Sequence, residues 1–222
     1  MISMWKLYRW KFSVLFLSVL ALVTSAKNAG NPADEIVDYI NKNRTANKLP
    51  KLYDNPGLGC MALQYISQCM GNCSSNSTLG CHPPEVDITE VYAPNCGVEL
   101  PTVDIISGRL VGCQWKYLNP EQALSEVLIR DKKRLSLLHG KEHTEVGVGF
   151  NRAHHGAFFW CILFSSGKTN STFVLEGGRG IRQRNGCFSG TDLPCSAGRK
   201  LPFLADLKPV FFSMLLYLVA GM

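Results

Sequence analysis

Residues 143–165 constrain the fold of this 222-residue chain more than any other stretch. They read HTEVGVGF, then NRAHHG, then AFFWCILFS. In the first part Val146, Val148 and Phe150 alternate with Gly147 and Gly149, a period of two that predicts a strand. A glycine face holds nothing off, so it predicts close packing against the strand backbone. In the last part both alternating sets are large and apolar: Phe158, Trp160 and Ile162 on one side, Phe159, Cys161 and Leu163 on the other. A strand of that kind has to be covered on both faces. The polar residues 151–156 between the two are of hairpin length. The expectation is a central β-hairpin buried between two layers, which the rest of the chain must supply.

Helices are announced by a repeated device. Asn31-Pro32, Asn55-Pro56 and Asn119-Pro120 each place an N-cap asparagine before a proline at the first helical position. In the first helix Ala33, Ile36, Val37 and Ile40 share one face, and Asp34 and Glu35 sit in the first turn, where the helix dipole favours them. The second carries Leu58, Met61, Ala62, Tyr65, Ile66 and Cys69, and Gly71 ends it. The third is expected over residues 120–138, with Arg130-Asp131-Lys132-Lys133-Arg134 on a solvated outer face. Residues 71–118 read as a long, stapled region with a short helix at 103–110. Residues 171–175 read as one more strand, and 177–186 as a flexible basic loop.

Both ends of the chain read as processing signals. Lys6, Arg9 and Lys11 precede an uncharged apolar run at 12–23, and Thr24-Ser25-Ala26 offers a cleavage point, so residues 1–26 are expected to be a signal peptide. At the other end the small triplet Ser196-Ala197-Gly198 leads through a polar spacer to an uncharged tail at 210–222. That is the layout of a GPI-attachment signal, the alternative being an apolar helix folded onto the core. Ser196 is the expected attachment residue, with Ser189 and Ala197 as rivals. Removing both ends reduces the formal charge from +6 to 17 basic residues against 16 acidic ones, so no nucleic-acid partner is implied.

Nine cysteines in a chain with a leader point to disulfides. Cys60, Cys69, Cys73, Cys81, Cys96, Cys113, Cys187 and Cys195 are the candidates for four bridges, in pairings the sequence leaves open. Cys161, inside the apolar strand, is the expected free thiol. Cys69 and Cys73 lack the second pair that a zinc site would need. Asn43, Asn72, Asn76 and Asn170 each head an N-x-S/T triplet and are candidate N-glycosylation sites.

Asn41-Lys-Asn-Arg44, Leu49-Pro-Lys-Leu52, Leu58 and Ala62 to Tyr65 together resemble the opening of the CAP superfamily of cysteine-rich secretory, antigen 5 and pathogenesis-related 1 proteins. Arg134-Leu-Ser-Leu-Leu138, Thr144-Glu-Val-Gly-Val-Gly149 and the Trp160 strand are similar to its closing segments. More closely, the chain resembles a group of plant GPI-anchored glycoproteins of unknown function, over roughly residues 33–166. The resemblance implies an α+β fold, a CAP-like three-layer α-β-α sandwich around a central antiparallel sheet. It divides the chain into a signal peptide (1–26), a CAP-like extracellular domain (27–186), a cysteine-containing stalk (187–196) and a GPI propeptide (197–222).

The superfamily's pocket uses two histidines and two acidic residues to hold a divalent metal. The corresponding positions here are Ile40 and Lys133 or Arg134, which offer no imidazole. No catalytic residue, metal ligand or cofactor is therefore expected. The leading expectation is a non-catalytic glycoprotein at the outer face of the plasma membrane that binds or scaffolds a receptor partner, a wall component or a secreted ligand. The alternative is a sterol or lipid carrier, with Val103, Ile105, Ile106 and Leu110 lining a groove. A hydrolase using His139, His143 and Glu145 ranks last, and His154-His155 at the hairpin tip reads as exposed. Ser165-Ser166-Gly167 lacks a nucleophile-elbow context, and Gly177-Gly178-Arg179-Gly180 lacks the strand-to-helix setting of a dinucleotide site.

Overall fold

The computed structural model describes residues 30–98, 105–154, 156–167, 180–182, 184–191 and 195. The proposed leader and tail, Ser196, Ala197, Asn170, His155, Val103 and the strand expected at 171–175 lie outside them.

Each asparagine-proline pair starts a helix by the expected chemistry. Helix α1 (Pro32–Ala46) begins with the Asn31 side chain accepting from the Ala33 N–H. After the two-residue strand β1 (Tyr53–Asp54), α2 (Pro56–Gln68) begins with Asn55 accepting from Gly57 and Leu58 N–H groups. Helix α3 is a π-helical turn, Ile88–Tyr92, that runs into Ala93–Cys96. Strand β2 (Ile106–Gln114) follows, then α4, which opens at Pro120–Gln122 under an Asn119–Gln122 capping box and continues as the π-helical stretch Ala123–Leu128. Helix α5 (Lys132–Leu138), strands β3 (Glu145–Arg152) and β4 (Phe158–Ser165), and a short β5 (Cys187–Phe188) complete the order.

The strands form one five-stranded sheet in which β4 lies between β2 and β3, and the far edge of β3 pairs with β1 and β5. The sheet is mixed rather than antiparallel, because β1 leads out of α1 and lies parallel to β3, with Tyr53 opposite Glu145. All eight residues of β4 are buried. On one face Phe158, Trp160, Ile162 and Phe164 pack with apolar residues of α1, α4 and α5. On the other, Phe159, Cys161 and Leu163 pack with α2 and α3. Two cores separated by one sheet follow from a strand that is apolar on both sides.

The glycine face of β3 is where α2 sits. A side chain at Gly147 would collide with Leu58 and Gly59 of the helix backbone, and one at Gly149 with Ala62 and Leu63. Helix and strand are therefore in direct main-chain contact over two turns.

Five expectations need correction. The helix expected at 120–138 breaks. Ile129 N–H bonds to Leu124 O in the wide π register, and Asp131 re-caps the chain by accepting from the Arg134 N–H. The outer-face charge run is consequently not all solvated, since Arg134 turns inward to donate to Val111 O and Val127 O. Within the helix expected at 103–110, residues 106–110 are instead the start of β2, because pairing with β4 across Gly108–Phe164 to Gln114–Phe158 overrides a weak local signal. Residues 187–191 are no stalk. Cys187 and Phe188 pair with Phe150 and Gly149, and Ser189 is fully buried with its N–H on Val148 O, which removes it as an anchor rival. The loop read as flexible is pinned where it is described. Gly180 lies against the Cys60–Cys96 bridge, the Arg182 N–H donates to Asn95 O, and Gln64 and Asn151 donate to Arg182 O and Asn185 O.

Four disulfides tie the layers: Cys60–Cys96 joins α2 to α3, Cys69–Cys81 and Cys73–Cys113 hold the loop after α2, and Cys187–Cys195 closes the end of β5. Cys161 is the remaining thiol and is buried in the second core, where burial pushes it well above its ordinary pKa.

Gly149→Ala should destabilise the domain by about 3 kcal/mol or more, because neither backbone can withdraw without opening a core. Urea unfolding of the variant would show a lowered midpoint, whereas Gly80→Ala, whose added carbon meets only an ordinary contact with Asn72 O, should leave it unchanged.

Candidate functional site

Buried Arg44 and His143 lie where the C-terminal end of α5 meets the entry of β3 and the start of β2. Arg44, on the last turn of α1, is fully buried. Its Nε donates to Pro50 O at 3.0 Å, and its Nη1 donates to Leu138 O at 2.8 Å and Gly140 O at 2.9 Å. The cation thus lies on carbonyls that α5 leaves unpaired, where the helix dipole is negative. One turn earlier, Asn41 pairs with Leu52 like a strand, its Nδ2 donating to Leu52 O and its Oδ1 accepting the Leu52 N–H. The N-x-x-R and L-P-x-L segments are therefore two halves of one clamp.

His143 lies beside this clamp, stacked on Phe164 with 4.6 Å between ring centroids. Leu137 O is 2.8 Å from its Nε2 and can only accept, so Nε2 carries the proton; Nδ1 then accepts from Ser107 Oγ at 2.7 Å. Ser107 is the extra residue of a β-bulge, since Ile106 and Gly108 of β2 face consecutive residues, Ser165 and Phe164, of β4. Such a bulge re-aims a side chain. A serine bonded to an imidazole that is itself oriented by a third group has the outline of a nucleophile pair. Here, however, the imidazole has no exposed surface. Burial lowers the pKa of His143, against the weaker opposing effect of the Leu137 bond.

The other expected residues are dispersed. His143 and Glu145 are both buried. Glu145 accepts from Asn55 Nδ2 at 2.9 Å, bracing the start of α2 rather than facing the imidazole. His139 Nε2 is bonded to Asn43 Oδ1, and His154 is exposed. At the superfamily's pocket positions, Ile40 is fully buried in the first core, Lys133 is exposed and Arg134 is bonded to two backbone carbonyls. Among the described residues no group of three histidine, cysteine or carboxylate side chains could hold a metal ion. Of the residues proposed to line a lipid groove, Leu110 is part of the first core and Ile106 packs on the second.

No protein-family model matches the chain, and no curated protein matches it. Among solved structures, an outer surface protein from Borrelia burgdorferi is similar at a TM-score of 0.44 and 13% identity, over 60% of this chain and 91% of that one. A likeness at that level bears on neither fold nor activity.

Two further polar groups were not legible in the sequence. On the α2 side, Arg109 lies over the Tyr65 ring at 4.7 Å and 3.8 Å from exposed Glu85, while the buried Tyr92 hydroxyl has no hydrogen-bond partner among the described residues. At the β1 end, Asp54 accepts from Ser189 Oγ at 2.6 Å. Burial pushes the Asp54 carboxyl up to about 6; the Ser189 bond opposes this, and nearby Asp34 and Asp38 reinforce it.

Replacing Arg44 with Met should cost about 3–5 kcal/mol, because it strips the Pro50, Leu138 and Gly140 carbonyls of their donor. Arg44→Lys should recover only part of this, since one ammonium cannot serve Pro50 on one side and Leu138 and Gly140 on the other. Chemical denaturation of the two variants would rank them. Asp54 also predicts a pH dependence. The folded state keeps its proton up to about pH 6, while the unfolded chain releases it near about pH 3.9. Its contribution to stability therefore grows as pH falls from about 6 towards about 4. His143 has the opposite sign and loses stability as pH falls below about 6.5. Subtracting the Asp54→Asn pH profile from that of the wild type should isolate a gain on acidification.

Proposed function

We propose that this chain is a GPI-anchored extracellular glycoprotein whose CAP-like domain is non-catalytic and serves in binding or scaffolding at the cell surface. The observation that supports it most directly is the use made of the interior's charged and imidazole groups. Arg44, His143 and Glu145 are the buried ones among the described residues, and each is bonded to the fold itself. Chemistry on a substrate needs such a group within reach of a reacting atom. Here they act as braces, so the domain offers a rigid surface. Four disulfides fit a chain matured in an oxidising compartment. The small triplet and apolar tail after Cys195 supply the attachment signal.

The expected partners are the membrane, through the GPI lipid, and a cell-surface protein. Lipid carriage is less well supported, because Ile106 and Leu110 are taken up in the cores. Expression of the full chain in eukaryotic cells, followed by a phosphatidylinositol-specific phospholipase, should release it into the medium. Retention on the membrane after treatment would overturn the anchored reading.

A further inference from the structure

The loop after α2 carries two of the four sequons, and its geometry singles one out. Residues 74–77 form a tight turn, with Ser77 N–H donating to Ser74 O and Ser74 N–H donating to Thr78 O. Ser77 takes the left-handed conformation, at φ 59°, and Cys73 and Leu79 bridge behind it. Asn76 therefore stands at a hairpin tip, exposed, with Oδ1 accepting from Ser74 Oγ at 2.5 Å. That bond leaves Nδ2, the atom that takes the sugar, as the other branch of the carboxamide. Asn43, by contrast, lies inside α1, holds His139 through its Oδ1, and precedes the fully buried Arg44. Asn72 is followed directly by the bridged Cys73.

The tip is fixed against an aromatic residue. Trp115, just beyond β2, donates its indole Nε1–H to Ser74 O at 2.9 Å, and Ser77 Oγ donates to Gln114 Oε1 at 2.6 Å. The Cys73–Cys113 disulfide locks the same two segments together. Ser74 thus touches both the Trp115 indole and the Asn76 carboxamide. Held at its polar edge, the indole is nevertheless 53% exposed. A large aromatic surface left in water is unfavourable, and its electron-rich face attracts the positively polarised C–H groups of a sugar ring.

We propose that Asn76 carries an N-linked glycan whose first N-acetylglucosamine lies on the exposed face of Trp115, so that the sugar completes the packing of the 72–80 loop. This rests on the secreted-glycoprotein reading given above and adds to it a specific site and a structural role for the glycan. Covered in this way, the loop becomes part of the rigid surface.

The test uses the full chain expressed in eukaryotic cells, with occupancy of each sequon read by mass spectrometry of peptides deglycosylated in heavy-oxygen water. Trimming to a single N-acetylglucosamine should keep the wild-type melting temperature. Asn76→Gln should lower it by about 2–4 °C, the shift expected of about 1 kcal/mol in a domain of this size. In a Trp115→Ala background the same substitution should cost nothing, which is the signature of a coupled pair. A second readout needs no variant to fold. Of the four tryptophans, Trp5 and Trp10 lie in the proposed leader and Trp160 is buried, so acrylamide quenching of the processed protein reports Trp115. Quenching should rise when the last sugar is removed. Equal melting losses in both backgrounds, with quenching unchanged, would overturn the proposal while leaving the glycoprotein reading intact, as would glycans at other sequons with Asn76 bare. A chain with no glycan at any sequon would overturn both.

Discussion

The contact on which the rest of the structure depends is between two backbones, α2 and the glycine face of β3. Gly147 and Gly149 allow the helix to lie on the strand with no side chain between them. That approach brings the apolar residues of α2 onto Phe159, Cys161 and Leu163 of β4, and so builds the second core. It also fixes the position of Asn55 at the helix start, which is why Glu145 can reach it. Any side chain at those positions would force the layers apart, and interiors packed at crystal-like density have no slack to absorb the movement.

Much of this was legible in the sequence because the signals are local. A period of two, a double-sided apolar strand and an asparagine before proline each act within a few residues, and the hairpin and the helix starts follow from them. The elements that escaped depend on distant partners. Strand β2 has no clean alternation, since Gly108 and Gly112 stand where larger residues would mark a face; those glycines are set against Leu137 and Val127. The π-helical turn in α4 arises where a continuous helix gives way to a second cap at Asp131. Neither can be anticipated without knowing what lies across the sheet.

The polar interior divides in the same way. Asn41 and Arg44 stand out in the sequence as a motif, yet their task becomes visible only with α5 in place, because two of the three carbonyls that Arg44 holds are 94 and 96 residues away. Ser107 was missed for a related reason: its orientation comes from a bulge, and bulges arise from strand pairing. A histidine near a carboxylate in sequence suggested acid–base work, but His143 and Glu145 turn to different partners, Leu137 and Asn55. Proximity along a chain is a weak guide to chemistry when each group has a buried carbonyl or amide to satisfy.

The placement of the last disulfide bears on how the domain would transmit load. Cys187 lies within the sheet, paired opposite Phe150, and is joined covalently to Cys195 eight residues on. Tension applied from beyond Cys195 would pass through the sulfur bridge directly into the sheet edge, bypassing the intervening loop. The segment around Ser189, with its bonds to Val148 and Asp54, would stay slack and intact. A pull at that end is therefore received by the central sheet itself, and the first structure to yield would be the two-residue pairing of β5 with β3.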